Sequence, residues 1–159
     1  MRKFIALLLF VVLSLPTYAL AAWTIDVSLA DVKGNYVVYK VECISDGDAL
    51  TATDLVVLMN QDERVYVQRG AALLFMNTTP GTGGAAPNAT IDVTFTDIAS
   101  QAVFAVTALS NVANTAGTKL YTVTGTYPII TSVFYLALND IGDAADSVTF
   151  YIYCWVEGN

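Results

Sequence analysis

The sequence predicts an all-β protein: a single antiparallel β-sandwich, Ig-like or jelly-roll-like, of about seven to nine strands. Three observations carry this expectation. Several segments alternate apolar and polar residues with a period of two. Others are short runs rich in β-branched and aromatic residues. Turn-forming clusters of Gly, Asn, Asp, Ser and Pro separate them at short intervals.

The N-terminus is set apart first. Met1-Arg2-Lys3 is a basic start, Phe4–Leu15 an apolar run, Pro16-Thr17-Tyr18 a break, and Ala19-Leu20-Ala21 a small-x-small site. This is the layout of a secretory signal peptide over residues 1–21, cleaved after Ala21. The apolar run falls short of the roughly 20 residues of a membrane span. The expected product is one domain, residues 22–159, with no membrane span after cleavage. It would be secreted to the cell exterior, the cell surface or the periplasm.

From there the elements follow in order. In Trp23–Leu29, Trp23, Ile25, Val27 and Leu29 are apolar and alternate with Thr24, Asp26 and Ser28, as in a half-buried strand. Lys33-Gly34-Asn35 signals a turn into Tyr36–Ile44, whose odd face is Val37, Tyr39, Val41 and Cys43, with Lys40 and Glu42 opposite. Leu55–Met59, Arg64–Gln68 and Ala71–Met76 are more continuously apolar. Thr53-Asp54 offers a helix cap before Leu55, and 97–109 is alanine-rich, yet both regions read as mostly strand. Thr90–Thr96 alternates again, Leu120–Thr126 alternates Tyr and Val with Thr, and Val133–Leu138 and Val148–Val156 are β-branched and aromatic. The four letters TIDV at Thr24–Val27 return at Thr90–Val93, an offset of 66 residues. The later halves do not match, so shared strand grammar is favoured over duplication.

Charge and composition exclude several functions. The chain holds 7 Lys+Arg against 14 Asp+Glu, and loss of Arg2 and Lys3 with the signal takes the mature charge to about −9. Nucleic acid and anionic lipid need clustered positive charge, so neither is an expected partner. No histidine is present, which removes the commonest general base and zinc ligand. Gly81-Thr82-Gly83-Gly84 lacks the Lys-Ser/Thr of a phosphate loop. Glu42, Glu63 and Glu157 sit among exposed-looking neighbours, a weak basis for a carboxylate-pair glycosidase. The expectation is a protein that is not an enzyme.

Four features remain as candidate sites. Cys43 and Cys154, an even count behind a secretion signal, suggest a disulfide. It would close a loop of about 110 residues, contributing ~4–5 kcal/mol in the chain-entropy view. Asp140, Asp143 and Asp146, beside Asn139, form a weak calcium candidate; Asp46, Asp48 and Asp54 form another. Asp is also a common turn residue, and neither spacing is that of a known calcium loop. In the last strand, Val148, Phe150, Ile152, Cys154 and Val156 alternate with Thr149, Tyr151, Tyr153 and Trp155. The stripe Tyr151, Tyr153, Trp155 reads as one face of a covered central strand, a subunit interface, or a platform for a sugar. Asn77-Thr78-Thr79 and Asn88-Ala89-Thr90 are formal glycosylation sequons.

TIDVTFTDIASQAVFAV at Thr90–Val106 and SVTFYIYCWVE at Ser147–Glu157 resemble strands of small all-β sandwich proteins of bacterial and phage genomes, including decoration-type and surface-exposed proteins. The secretion signal departs from an ordinary virion component. The chain is also similar to secreted fimbrial subunits in its signal, single domain and one cysteine pair. That resemblance implies that Trp23, Ile25, Val27 and Leu29 form a donated strand completing a neighbour's sheet. The chain lacks the penultimate tyrosine usual in such subunits, and its cysteines span nearly the whole domain. The expected function is therefore a secreted structural or adhesive surface protein, a filament, matrix or appendage subunit partnered by itself or by another surface protein. The alternatives are a carbohydrate-binding module, calcium-assisted, and a phage-related decoration-type protein.

Overall fold

The computed structural model describes residues 22–87, 90–97, 99, 102–110, 119–122, 129–139 and 141–157. Residues 1–21, where a signal peptide is expected, the sequon residue Asn88, and Asp140 of the acidic group lie outside them. The elements are β1 (Thr24–Lys33), β2 (Tyr36–Ile44), β3 (Leu50–Asp54), α1 (Leu55–Leu58), α2 (Gln61–Gln68), β4 (Ala71–Pro80), β5 (Thr90–Thr96), β6 (Ala102–Ser110), β7 (Lys119–Thr122), β8 (Ile129–Ile130), β9 (Tyr135–Asn139) and β10 (Ser147–Val156). The protein is all-β, built from two antiparallel sheets. The first has six strands in the order β1-β2-β10-β4-β7, with β8 also paired to β4; the second has four, in the order β3-β9-β5-β6. Two of the ten strands described, β7 and β8, are short.

Period-two alternation builds the core. Val37, Tyr39, Val41 and Cys43 of β2 and Val148, Phe150, Ile152, Cys154 and Val156 of β10 are all buried on one side of the first sheet. Ile91, Val93 and Phe95 of β5 and Leu136 and Leu138 of β9 face them from the second sheet in the same apolar cluster. The Phe95 ring stands edge-on to Phe150, centroids 5.5 Å apart, and stacks on Phe134 at 5.1 Å. Each fully buried large side chain stabilises the fold by roughly 1.5–3 kcal/mol. Gly34 and Asn35 join β1 to β2 in a two-residue turn, with Gly34 at a φ of 57°. A positive φ at the first turn residue is what glycine allows at no steric cost.

Residues 55–68 depart from the expected strands. They form two short helices that cover a corner of the core. Asp54 Oδ1 accepts from the Val56 N–H at 3.0 Å, capping α1, and also from the Phe134 N–H at 3.1 Å. Asn60 and Glu63 form a reciprocal capping box on α2: Asn60 Oδ1 accepts from the Glu63 N–H at 3.1 Å, and Glu63 Oε2 accepts from the Asn60 N–H at 2.7 Å. Leu55 of α1, Met59 of the link, and Glu63 and Val67 of α2 are buried; Glu63 and Val67, four apart, share one face of α2. Tyr39 Oη donates to the Glu63 carbonyl at 2.8 Å, which ties α2 to the first sheet. Among the described residues no helix is long and apolar enough to cross a membrane.

The expected disulfide does not form. Cys43 and Cys154 are both buried and unbonded. Register explains why: Cys43 lies opposite Val148, and Cys154 opposite Val37, on the neighbouring strands β2 and β10. Six residues of strand separate the two thiols, roughly 20 Å at the rise of a β-strand, whereas a bridge needs Cα atoms within about 7 Å. Burial pushes both thiols up to about 12.

The two TIDV segments hold different places. Thr24–Val27 lies in β1, which pairs only with β2 among the described residues; Thr90–Val93 lies in β5, paired on both sides, with β6 and β9. Each begins a hairpin, but one is at a sheet edge and the other is internal.

Candidate functional site: the outer face of the first sheet

The odd residues of β10 point away from the core. Antiparallel registers place their cross-strand neighbours on the same outer face. Tyr151 lies between Lys40 and Asn77, Tyr153 between Val38 and Phe75, and Trp155 between Tyr36 and Ala72. The last row continues from Ala72 to Ile129 on β8. Tyr36, Trp155 and Ile129, exposed by 51%, 38% and 64%, thus lie along one line across four strands. At strand spacings of roughly 4.8 Å this line runs about 14 Å. A bulge in β4 between the partners of Tyr153 and Cys154 leaves Leu74 as the extra residue and keeps Ala72 in that line.

The rings engage one another. Tyr36 and Trp155 meet edge to face, centroids 4.8 Å apart and planes at 86°. Phe75 and Tyr153 stack at 4.2 Å with planes 22° apart, and Asn77 Nδ2 donates to Tyr153 Oη at 3.4 Å. Such pairs contribute about 0.5–1.5 kcal/mol beyond burial.

Charge on this face is internally matched. Lys40 Nζ lies 2.8 Å from Glu42, and Lys33 Nζ 2.9 Å from Asp31. The hydrogen bond from Lys40 to Glu42 raises the lysine's pKa, and Asp26 adds to it across the strand pair. The bond between Lys33 and Asp31 raises the lysine and lowers the carboxyl. These pairs are solvent-exposed and orient side chains more than they stabilise the fold.

Other expected sites fall elsewhere. Trp23, Ile25, Val27 and Leu29 serve the chain's own sheet. Ile25, Val27 and Leu29 pair with Cys43, Val41 and Tyr39 of β2. Val27 is buried, and the other three pack against the core. Trp23 Nε1 donates to the Asp48 carbonyl at 3.1 Å. In the single chain this strand is the edge of the first sheet, paired with β2. Of the acidic group, buried Asp146 accepts from the Asp143 N–H at 2.7 Å, closing the turn before β10. Asp46 Oδ1 accepts from the Asp48 N–H in the adjoining turn. Among the described residues no three acidic or cysteine side chains converge as a metal site. The Asn77 sequon lies in β4 with strands paired on both sides and Thr78 buried, a poor place for an added glycan.

Sequence reading had the aromatic stripe on β10 but missed Tyr36, Val38, Phe75 and Asn77. Alternation puts Tyr36 and Val38 on the face of Lys40 and Glu42; the register that brings them beside Trp155 and Tyr153 has no local signal. Compared with known families, curated proteins and solved structures, the chain matches none.

Proposed function

We propose that this chain is a secreted, non-enzymatic structural or adhesive protein that acts by surface contact. The observation that carries the reading is the ring array Tyr36, Trp155, Phe75 and Tyr153 on the outer face of the first sheet. Aromatic side chains with polar tips are enriched where protein surfaces meet. Secretion rests on residues 1–21. A second reading, a carbohydrate-binding module, draws support from the exposure of Trp155 beside Tyr36. It is the weaker of the two because the rings already use faces on one another.

Expression of the whole chain in a secreting host tests the proposal. The product should begin at Ala22 by mass spectrometry, lie outside the cytoplasm, and attach to surfaces or assemblies. Tyr36→Ser together with Trp155→Ser should abolish attachment while the protein still unfolds cooperatively, its melting temperature lowered by several degrees through loss of the ring pair. An uncleaved cytoplasmic product, or attachment indifferent to both substitutions, would overturn it. Quenching of tryptophan emission by a glycan, with or without calcium, would select the second reading.

A further inference from the structure

We propose that Asp46 is a site of slow, uncatalysed conversion to isoaspartate, and that the Ser45 hydroxyl sets its rate. Asp46 is the one aspartate that a glycine follows; every other aspartate is followed by a residue with a side chain. A side chain there crowds the next amide nitrogen as it attacks the aspartate carboxyl, and Gly47 has none. Gly47 is exposed and Asp46 half-buried, so water reaches the pair.

The chemistry balances with water alone. The Gly47 nitrogen gives up its proton and bonds to Asp46 Cγ. The bond from Cγ to one carboxyl oxygen breaks, and that oxygen leaves as water. The succinimide ring so formed then takes one water back. Opening at the former main-chain carbonyl leaves the chain running through Cβ and Cγ, one carbon longer, with a free carboxylate on Cα. No oxidant, reductant or enzyme is required.

The fold restrains both reacting groups. The Gly47 N–H donates to Ser45 Oγ at 2.9 Å, and Asp46 Oδ1 accepts from the Asp48 N–H at 3.0 Å. Attack on Cγ takes the proton from the Gly47 nitrogen and so breaks the first of these bonds. Ser45 is buried and held in place: its N–H donates to the Asp146 carbonyl at 2.8 Å, and its carbonyl accepts from the Ala145 N–H at 2.9 Å. Gly47 has a φ of 99°, a conformation that strains other residues. The turn thus demands the same glycine that makes Asp46 reactive. Conversion waits on local opening of this turn, and each bond that holds it shut lowers the rate. The Asp48 carbonyl also accepts from Trp23 Nε1 at 3.1 Å. An extra main-chain carbon at position 46 displaces that anchor of β1.

Long incubation of the purified full-length product in warm neutral buffer, folded and in urea, tests this. A protease that cuts before aspartate but not before isoaspartate follows position 46. Electron-transfer fragmentation confirms the isomer at unchanged mass. Isoaspartate should accumulate at 46 ahead of every other aspartate, and more slowly in the folded chain than in urea. Ser45→Ala should raise the folded rate about fivefold, the factor set by one ordinary hydrogen bond, and leave the rate in urea as it was. Cys154→Ser weakens the core toward the other end of β10 and should leave the folded rate within about twofold. Asp46→Glu should give no product, because the larger ring closes far more slowly. Equal rates folded and in urea, no acceleration by Ser45→Ala, or an equal acceleration by Cys154→Ser would each overturn the inference. Isoaspartate appearing first at another aspartate would do the same.

Discussion

The two faces of β10 share one backbone and the same two neighbours, yet they do different work. Val148, Phe150, Ile152, Cys154 and Val156 are buried to the last residue. Thr149, Tyr151, Tyr153 and Trp155 alternate with them and stay half-buried or exposed. The inner face meets the second sheet; among the described residues the outer face meets only its own sheet. A strand covered on one side should be all apolar there and polar on the other. The outer residues break that rule with rings, and such departures concentrate where a protein touches something else.

Substitutions along this single strand can break or sharpen the contrast. The largest effect is expected from Phe150→Ala, which opens a hole against Phe95 and should cost about 3–5 kcal/mol in urea unfolding. A cost below about 1 kcal/mol would mean the sheets do not pack as described. Next is Cys154→Ser. Cys154 borders a small apolar void of about 10 Å³, together with Tyr39, Met59, Leu73 and Phe134. A hydroxyl there exchanges a weakly polar thiol for a strongly polar group among mostly apolar neighbours and should cost about 1–3 kcal/mol. On the outer face, Trp155→Ser should cost about 1–2 kcal/mol of stability, through loss of the ring pair with Tyr36, while weakening the contact.

The smallest effect is chemical. Iodoacetamide at pH 8 should label neither thiol in the folded protein and both after unfolding, with identical masses before and after reduction. A mass lower by two hydrogens before reduction would restore the disulfide. The thiols also set an alkaline trend. Both rise from 9.0 to about 12 through burial. The folded state thus keeps protons that the unfolded state releases, and their contribution falls as pH climbs from about 9 toward 12. Tyr39, raised chiefly by desolvation and then by the nearby Cys154, acts in the same direction. Replacing both cysteines by alanine should flatten a plot of stability against pH in that window.

Much of the fold was legible because alternation is a local signal. Trp23–Leu29, Tyr36–Ile44, Thr90–Thr96 and Val148–Val156 announce their strands and dry faces without help from distant residues. Leu55-Val56-Val57-Leu58 misleads because a β-branched apolar run resembles a buried strand. The signals for α2 were the capping box of Asn60 with Glu63 and the buried pair Glu63 and Val67 four apart, but one member of that pair is a glutamate. Register was the main blind spot. Nothing near Cys43 reveals that it sits opposite Val148 and not Cys154, and nothing near Trp155 reveals Tyr36. Both facts arise from pairing residues more than a hundred positions apart.

The placement of Ser147–Val156 between β2 and β4 has a consequence in time. Until this segment has been synthesised, the first sheet lacks its middle, and strands 36–44 and 71–80 have no common neighbour. A ribosome-bound chain ending at Asp146 should remain open and readily cut by protease, becoming resistant only when the last ten-residue strand is free to insert. Closure of the first sheet is thus a late step, one that pairing among the earlier strands prepares and cannot complete.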